Sequence, residues 1–105
     1  MAQADMTPRQ TAPELTAFQR DLLFVIASVG PAKGTTVKGT LEDYYEGEIN
    51  HGRLYPNLDT LVDSGLITKG QRDKRTNEYD LTARGESVLA NRRAWESERL
   101  EGVSA

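Results

Sequence analysis

Two short stretches carry side chains fit for recognition of phosphate and nucleic-acid bases. Within Lys69–Arg75, four cations (Lys69, Arg72, Lys74 and Arg75) stand against one acid, Asp73, in a chain whose net charge is −3. In "NHGRLYPN", Gly52 and Arg53 open a segment with a regular apolar stripe, and Pro56 falls just inside it. A guanidinium is a planar fork that matches phosphate or the acceptor edge of guanine. Other chemistries lack their residues. There is no cysteine, so disulfides, thiolate metal sites and thiol redox switches are excluded, and His51 is the only histidine. With one histidine and no phosphate-cradling glycine loop, no enzyme is expected. Glu42, Asp43, Glu46 and Glu48 show no repeating ligand spacing and read as a solvated face, so no metal or other cofactor is expected.

The elements that must hold these side chains are legible from periodicity and caps. Residues 1–14, with two prolines and little aliphatic content, read as a flexible arm. Thr16, with Gln19 three residues on, fits a capping box for a first helix bearing Phe18, Leu22, Val25, Ile26 and Val29, which Gly30-Pro31 stops. A weaker, glycine-containing second helix has Thr35 or Thr36 as cap, an apolar face of Val37, Leu41 and Tyr44 or Tyr45, and Gly47 as stop. Both tyrosines read as core. The third helix buries Leu54, Leu58, Leu61 and Val62, and its spacing sends Arg53, Asn57 and Thr60 outward. Gly65 suits a left-handed C′ position. Leu66–Lys69 and Glu78–Leu81 predict a β-hairpin with a long basic tip. Thr82 caps a last helix to about Leu100, whose large apolar residues (Val88, Leu89, Trp95, Leu100) do not make one tight stripe. Trp95 lies far out along that helix, where an apolar ring needs another surface to cover it.

Three helices, a hairpin and a helix are the order of a winged helix-turn-helix: mainly α with a small β-hairpin (α+β), plus a C-terminal helix. The expected units are the arm 1–14, a DNA-binding domain 15–81 and a dimerisation helix with tail 82–105. In this arrangement the third helix enters the major groove and the wing reaches the backbone or minor groove. Pro56 then has a reason. Either the helix starts near Asn50 and proline removes one bond in its first turns, or the regular helix starts near Pro56. Both leave the backbone of His51, Gly52 and Arg53 free at a helix N-terminus, where amides and dipole favour phosphate. Gly52 permits close approach, and Arg53 can pair with guanine. Around the start of the second helix, Lys33, Thr35, Thr36 and Lys38 are further phosphate contacts.

The stretch "INHGRLYPNLDTLVDSGLITKGQRDKRTNEYDLTARGESVL" resembles the PadR family of transcriptional regulators. The resemblance rests on Leu54-Tyr55-Pro56, Leu58, Leu61, Gly65-Leu66-Ile67, the basic wing, Tyr79, Leu81-Thr82 and Gly85. It implies a regulator, expected to be a repressor, binding a pseudo-palindromic operator on double-stranded DNA as a homodimer. It also implies joining through the C-terminal helix with help from the first, hence Leu89, Trp95, Phe18 and Leu22 at the interface. Four lysines against nine arginines and sixteen acids suit a high-salt cytoplasm, where charge is screened over about 3 Å at 1 M. With the single-domain length, this points to a haloarchaeal member similar to the PadR-like regulators of oxidative stress.

The longest apolar run, Leu22–Ala27, is six residues, so no membrane span and no export signal are expected and the protein reads as cytoplasmic. Residues 31–77 are neutral overall, unlike a strongly basic DNA face. From this we expect ions bound at high salt, with cations bridging acidic side chains and phosphates. The competing reading is a winged-helix module that binds proteins and no DNA.

Overall fold

The computed structural model describes residues 12–71, 73 and 75–103. After a 3₁₀ turn at Ala12–Glu14 come α1 (Ala17–Val29), β1 (Ala32–Lys33), α2 (Gly34–Tyr45), α3 (His51–Asp63), β2 (Ile67–Gln71), β3 (Asn77–Leu81) and α4 (Ala83–Leu100). The remainder of the expected arm, with Met1 and Met6, lies outside the described residues. The Thr16 capping box forms: Thr16 Oγ1 accepts from the Gln19 N–H and Gln19 Oε1 from the Thr16 N–H, both at 3.1 Å.

The second helix departs from expectation at both ends. Lys33, not a threonine, is its N-cap and supplies no side-chain cap, so Thr35 and Thr36 lie in the first turn. It ends on Glu46, in the left-handed region at φ 57, one residue before Gly47. The following residues explain this early stop. Buried Ile49 donates its N–H to the Glu42 carboxylate at 2.8 Å, tying the loop back to the helix. That bond, then the Lys38 ammonium at 2.7 Å, holds the Glu42 carboxyl below the usual carboxylate range. Glu42 is thus a structural acid, not part of a solvated face.

In α3 the chain takes the first of the two possibilities for Pro56. Asn50 caps the helix, its Oδ1 accepting the Arg53 N–H at 2.9 Å, and Pro56 lies within the helix. Gly65 adopts φ 77 as expected for a left-handed stop. Thr82 caps α4 by accepting from the Gly85 N–H at 3.0 Å, and its hydroxyl also reaches the carbonyls of Gly65 and Leu66.

The hairpin runs longer than its apolar signature, with Ile67 opposite Leu81 and Gln71 opposite Asn77. A third strand was not legible: β1 pairs antiparallel with β3, giving the order β1-β3-β2. Two residues are too few to show alternation, and only the partner strand defines them.

One core joins all these elements. Leu22, Leu23, Ile26, Val37, Leu54, Leu58 and Leu61 are fully buried, with Tyr79 beside them from the sheet. Phe18, Leu22 and Leu89, expected at a surface between two chains, are buried in this core. Their spacing marks burial and does not distinguish a chain's own core from a partner. Adjacent helical residues point about 100° apart, so only one of Tyr44 and Tyr45 can face α1. It is Tyr45, whose hydroxyl donates to Asp21 Oδ2 at 2.6 Å; Tyr44 is 76% exposed, against the expectation of core.

Burial, reinforced by the Asp21 carboxylate, pushes the Tyr45 phenol up to about 12 from its ordinary value of 10.0. A raised phenol favours the folded state fully below pH about 10, and the contribution disappears as pH rises to about 12. We therefore expect the stability difference between the protein and Tyr45→Phe to be flat below pH 10 and to shrink above it. Urea unfolding at stepped pH measures this; a difference that grows above pH 10 contradicts it.

Candidate nucleic-acid interface

Three elements that are distant in sequence converge at the head of α2. The first turn of α2 brings Gly34 and Thr35, with the N-cap Lys33; α3 brings Tyr55; the wing brings Arg75, Thr76 and Asn77. Together with Tyr79 they line an open cleft of about 330 Å³. Among the described residues its lining holds two cations and no acid. The leading amides of α2 receive no bond from the N-cap side chain, so a helix N-terminus opens here beside Lys33 and Arg75. This is an arrangement suited to an anionic oxygen. Gly34 is required for it: a Cβ there would lie 2.7 Å from the Tyr55 hydroxyl and displace that ring. Tyr55 is held on its other side by His51, edge to face at 5.5 Å.

The stripe of α3 expected to face outward is exposed at Arg53 and half-buried at Asn57 and Thr60. The Arg53 guanidinium lies 4.0 Å over the Phe18 ring. Asn57 accepts from Gln19 Nε2 at 2.9 Å and donates to the Arg53 carbonyl at 2.7 Å. Arg53 and Asn57 therefore lie along the α1 flank. The sequence stripe separates them from the buried leucines but cannot say that α1 passes alongside. The exposed residues of α3 are His51, Gly52, Arg53, Pro56, Asp59 and Asp63. Arg53 remains usable: leaving Phe18 costs about 0.5–1 kcal/mol, less than the roughly 1–3 kcal/mol of a bidentate base contact.

The remaining candidates divide. Lys33, Thr35 and Thr36 are exposed at the head of α2. Lys38 is engaged by Glu42. Lys69 lies in β2, not in the tip. Its partner across the sheet is the buried Tyr79, so it shares the face that turns towards α3 and pairs with Asp59 at 3.7 Å. Arg72 and Lys74 lie outside the described residues. Arg75 is exposed, and the tip around it is shaped by Asp73, whose Oδ1 accepts from the N–H groups of Arg75 and Thr76 at 2.9 Å. Sequence reasoning missed Tyr55, Thr76 and Asn77 in the cleft, and Gln19 as the residue that holds Asn57. The four-residue spacing of His51 and Tyr55 was the one available signal.

Gly52 has no internal reason to be glycine. Its backbone is not in the left-handed region, and a Cβ would meet only Asn50 Oδ1, at an ordinary 3.4 Å. Gly52→Ala should therefore raise stability by about 0.5–1 kcal/mol. If the backbone there approaches a ligand closely, the same change should weaken binding about tenfold or more. Thermal unfolding and DNA titration of one variant check both halves.

On α4, Trp95 follows Val88 by seven residues and Leu100 follows Leu89 by eleven, so each continues the side of the helix its predecessor occupies. The apolar residues do form a stripe, two residues wide, which runs out past the chain's own core. Trp95 is 48% exposed, with the Arg92 and Arg99 guanidinium groups 4.8 and 5.2 Å from its ring, and it borders a cleft with Pro13. No described helix is long and apolar enough to cross a membrane.

Comparison with known proteins bears on the fold and the family. Residues 22–91, two-thirds of the chain, match the transcriptional regulator PadR-like family. Curated protein sequences include no match. Among solved structures, the complex of hsRosR-S1 is 45% identical, with a TM-score of 0.83 over 87% of this chain and 80% of that one. RosR of H. salinarum grown from NaBr is also 45% identical, with a TM-score of 0.82 over 90% of this chain and 84% of that one. A PadR-like transcription factor from Bacteroides fragilis shares the fold at 23% identity, with a TM-score of 0.72 over 82% of this chain and 85% of that one. The winged helix, its wing and the family match agree: the chain belongs to the PadR-like family of transcriptional regulators.

Proposed function

We propose that the protein is a homodimeric repressor that binds a pseudo-palindromic operator in the cytoplasm. The head of α3 enters the major groove and the wing lies on the backbone or in the minor groove. The observation that carries this reading is the acid-free cleft in which the head of α2, Tyr55 of α3 and Arg75 of the wing meet. A phosphate there fixes the register of α3, and His51, Gly52 and Arg53 then stand at the base edges. Arg53 swings from Phe18 to guanine, and Asn57, held by Gln19, supports its backbone carbonyl. The half-exposed Trp95, with Leu100 beyond it, supplies the surface on α4 that a second copy covers.

The decisive experiment is titration of the chain's own upstream DNA in multimolar KCl, with mass followed by light scattering. Selective, saturable binding by a dimer, lost in Arg53→Ala and in Arg75→Ala, is expected. A folded dimer that ignores DNA at every salt concentration would instead favour the protein-binding module.

Asp59 and Asp63 on the exposed face of α3 support a role for cations between protein and phosphate. Binding then tolerates salt. Between 50 and 200 mM, a protein with 6–10 phosphate contacts loses about 10³–10⁵ in affinity, whereas this one is expected to lose about tenfold or less. A slope as steep as that of a basic regulator would exclude cation bridging.

A further inference from the structure

A second cleft, of about 390 Å³, lies between α1 and α2 and shares no residue with the one at the wing. Among the described residues, five large apolar side chains are exposed. Trp95, Leu100 and Val103 belong to α4 and the segment after it; the other two, Phe24 (41%) and Tyr44 (76%), border this cleft. Leu41 contributes an apolar wall.

The polar groups in the lining have one feature in common. Ser28 Oγ donates its hydrogen to the Val25 carbonyl at 2.8 Å, and Thr40 Oγ1 donates to the Thr36 carbonyl at 3.0 Å. What each oxygen has left is its acceptor capacity. Asp21 receives the Tyr45 hydroxyl on Oδ2, and among the described residues no lysine, arginine or histidine lines the cleft. Apart from the hydroxyl of Tyr44 at the open rim, the lining's side chains offer acceptors, one carboxylate and two aromatic rings. Aromatic faces and a carboxylate both attract a cation.

We propose that this cleft binds a small organic cation, an ammonium carried on an aromatic or aliphatic body. The ammonium meets Asp21 Oδ1 and the hydroxyl oxygens of Ser28 and Thr40, and the body lies between Phe24 and Tyr44. The volume falls in the range of small-molecule sites, about 300–1,000 Å³. A second copy meeting the cleft across a two-fold axis is the poorer occupant, because an isologous contact would face acceptors with acceptors. The cleft is also placed to be felt at the reading helix. Asp21 bonds Tyr45, Tyr45 packs on Phe18 at 6.2 Å between ring centroids, and Phe18 carries the Arg53 guanidinium.

The test uses the full-length ¹⁵N-labelled protein without DNA, so its outcome is independent of the DNA-binding reading. Phenethylammonium, the neutral 2-phenylethanol and the anionic 3-phenylpropionate are titrated in the same KCl buffer. Saturable amide shifts confined to residues 21–28 and 40–45 are expected for the cation, with about tenfold tighter binding than the alcohol, the contribution of one charge-assisted hydrogen bond. Asp21→Asn keeps an acceptor for Tyr45 and should abolish that preference, whereas Phe24→Ala should weaken all probes that still bind. Equal binding of the three probes, an Asp21→Asn protein that keeps the preference, or shifts centred elsewhere would overturn the proposal. So would amides in the cleft that respond to protein concentration and exclude the cation, the behaviour of a surface covered by a second copy.

Discussion

Lys33→Ala combined with Arg75→Ala lowers operator affinity about a hundredfold or more while leaving the unfolding midpoint within a few degrees. Each side chain is exposed, so removing them costs the chain little. Both line the acid-free cleft with Thr35 and the opening turn of α2. A charge-assisted contact to phosphate is worth about 1.5–3 kcal/mol, so two lost together amount to roughly two decades or more. The loss should be similar for specific and unrelated DNA, because phosphate contacts position and do not discriminate. Arg53→Ala should behave differently, weakening the operator more than unrelated sequence. Measuring each variant on both DNAs separates the roles, and a double variant that binds as the parent does would remove the cleft from the interface.

Gly85→Ala destabilises the protein by about 3 kcal/mol, the upper part of the range for overpacking. Helix propensity argues the reverse, since glycine inside a helix is about 1 kcal/mol worse than alanine. Packing decides. Gly85 is buried in the first turn of α4, where a methyl would overlap the Leu66 carbonyl oxygen and approach Leu81 Cδ1 to 2.8 Å. That carbonyl also accepts the Thr82 hydroxyl and N–H, at 3.0 and 3.1 Å, so it cannot retreat without uncapping α4. At about 4–8 °C per kcal/mol for a domain near this size, the midpoint should fall by roughly 12–24 °C. Calorimetry of the purified variant measures this, and a midpoint that stays or rises would show that α4 is free to shift on the sheet.

Cap chemistry and periodicity placed the helices, and each success has a local cause. The Thr16–Gln19 box, the Thr82 cap and the left-handed Gly65 are settled by residues within one helical turn of each other. The buried stripe of Leu54, Leu58 and Leu61 follows from a single period. The order of elements gave the expectation that the hairpin is a wing and α3 the reading helix, and the family signature added that of a regulator acting as a homodimer. Errors began where a neighbour is far along the chain. Lys38 and Glu42 read as two separate exposed charges, yet Ile49 draws Glu42 into a loop anchor and Lys38 follows it. Lys69 counted towards the basic tip until its strand partner Tyr79 defined its face.

What the sequence by itself determined was therefore the order of elements, their caps, the core-facing stripes and the family. All of these are set by side chains three or four residues apart or by a motif that runs along the chain. The tertiary structure alone decided which face of α3 is offered, that Tyr45 and not Tyr44 packs inward, and that Gly34, Tyr55 and Arg75 share one cleft. The contacts responsible span long stretches of chain: 38 residues separate Gln19 from Asn57, and 24 separate Asp21 from Tyr45. A periodic pattern records that a side chain is buried or exposed. It carries no information about which distant element lies against it, and the interface is made of those pairings.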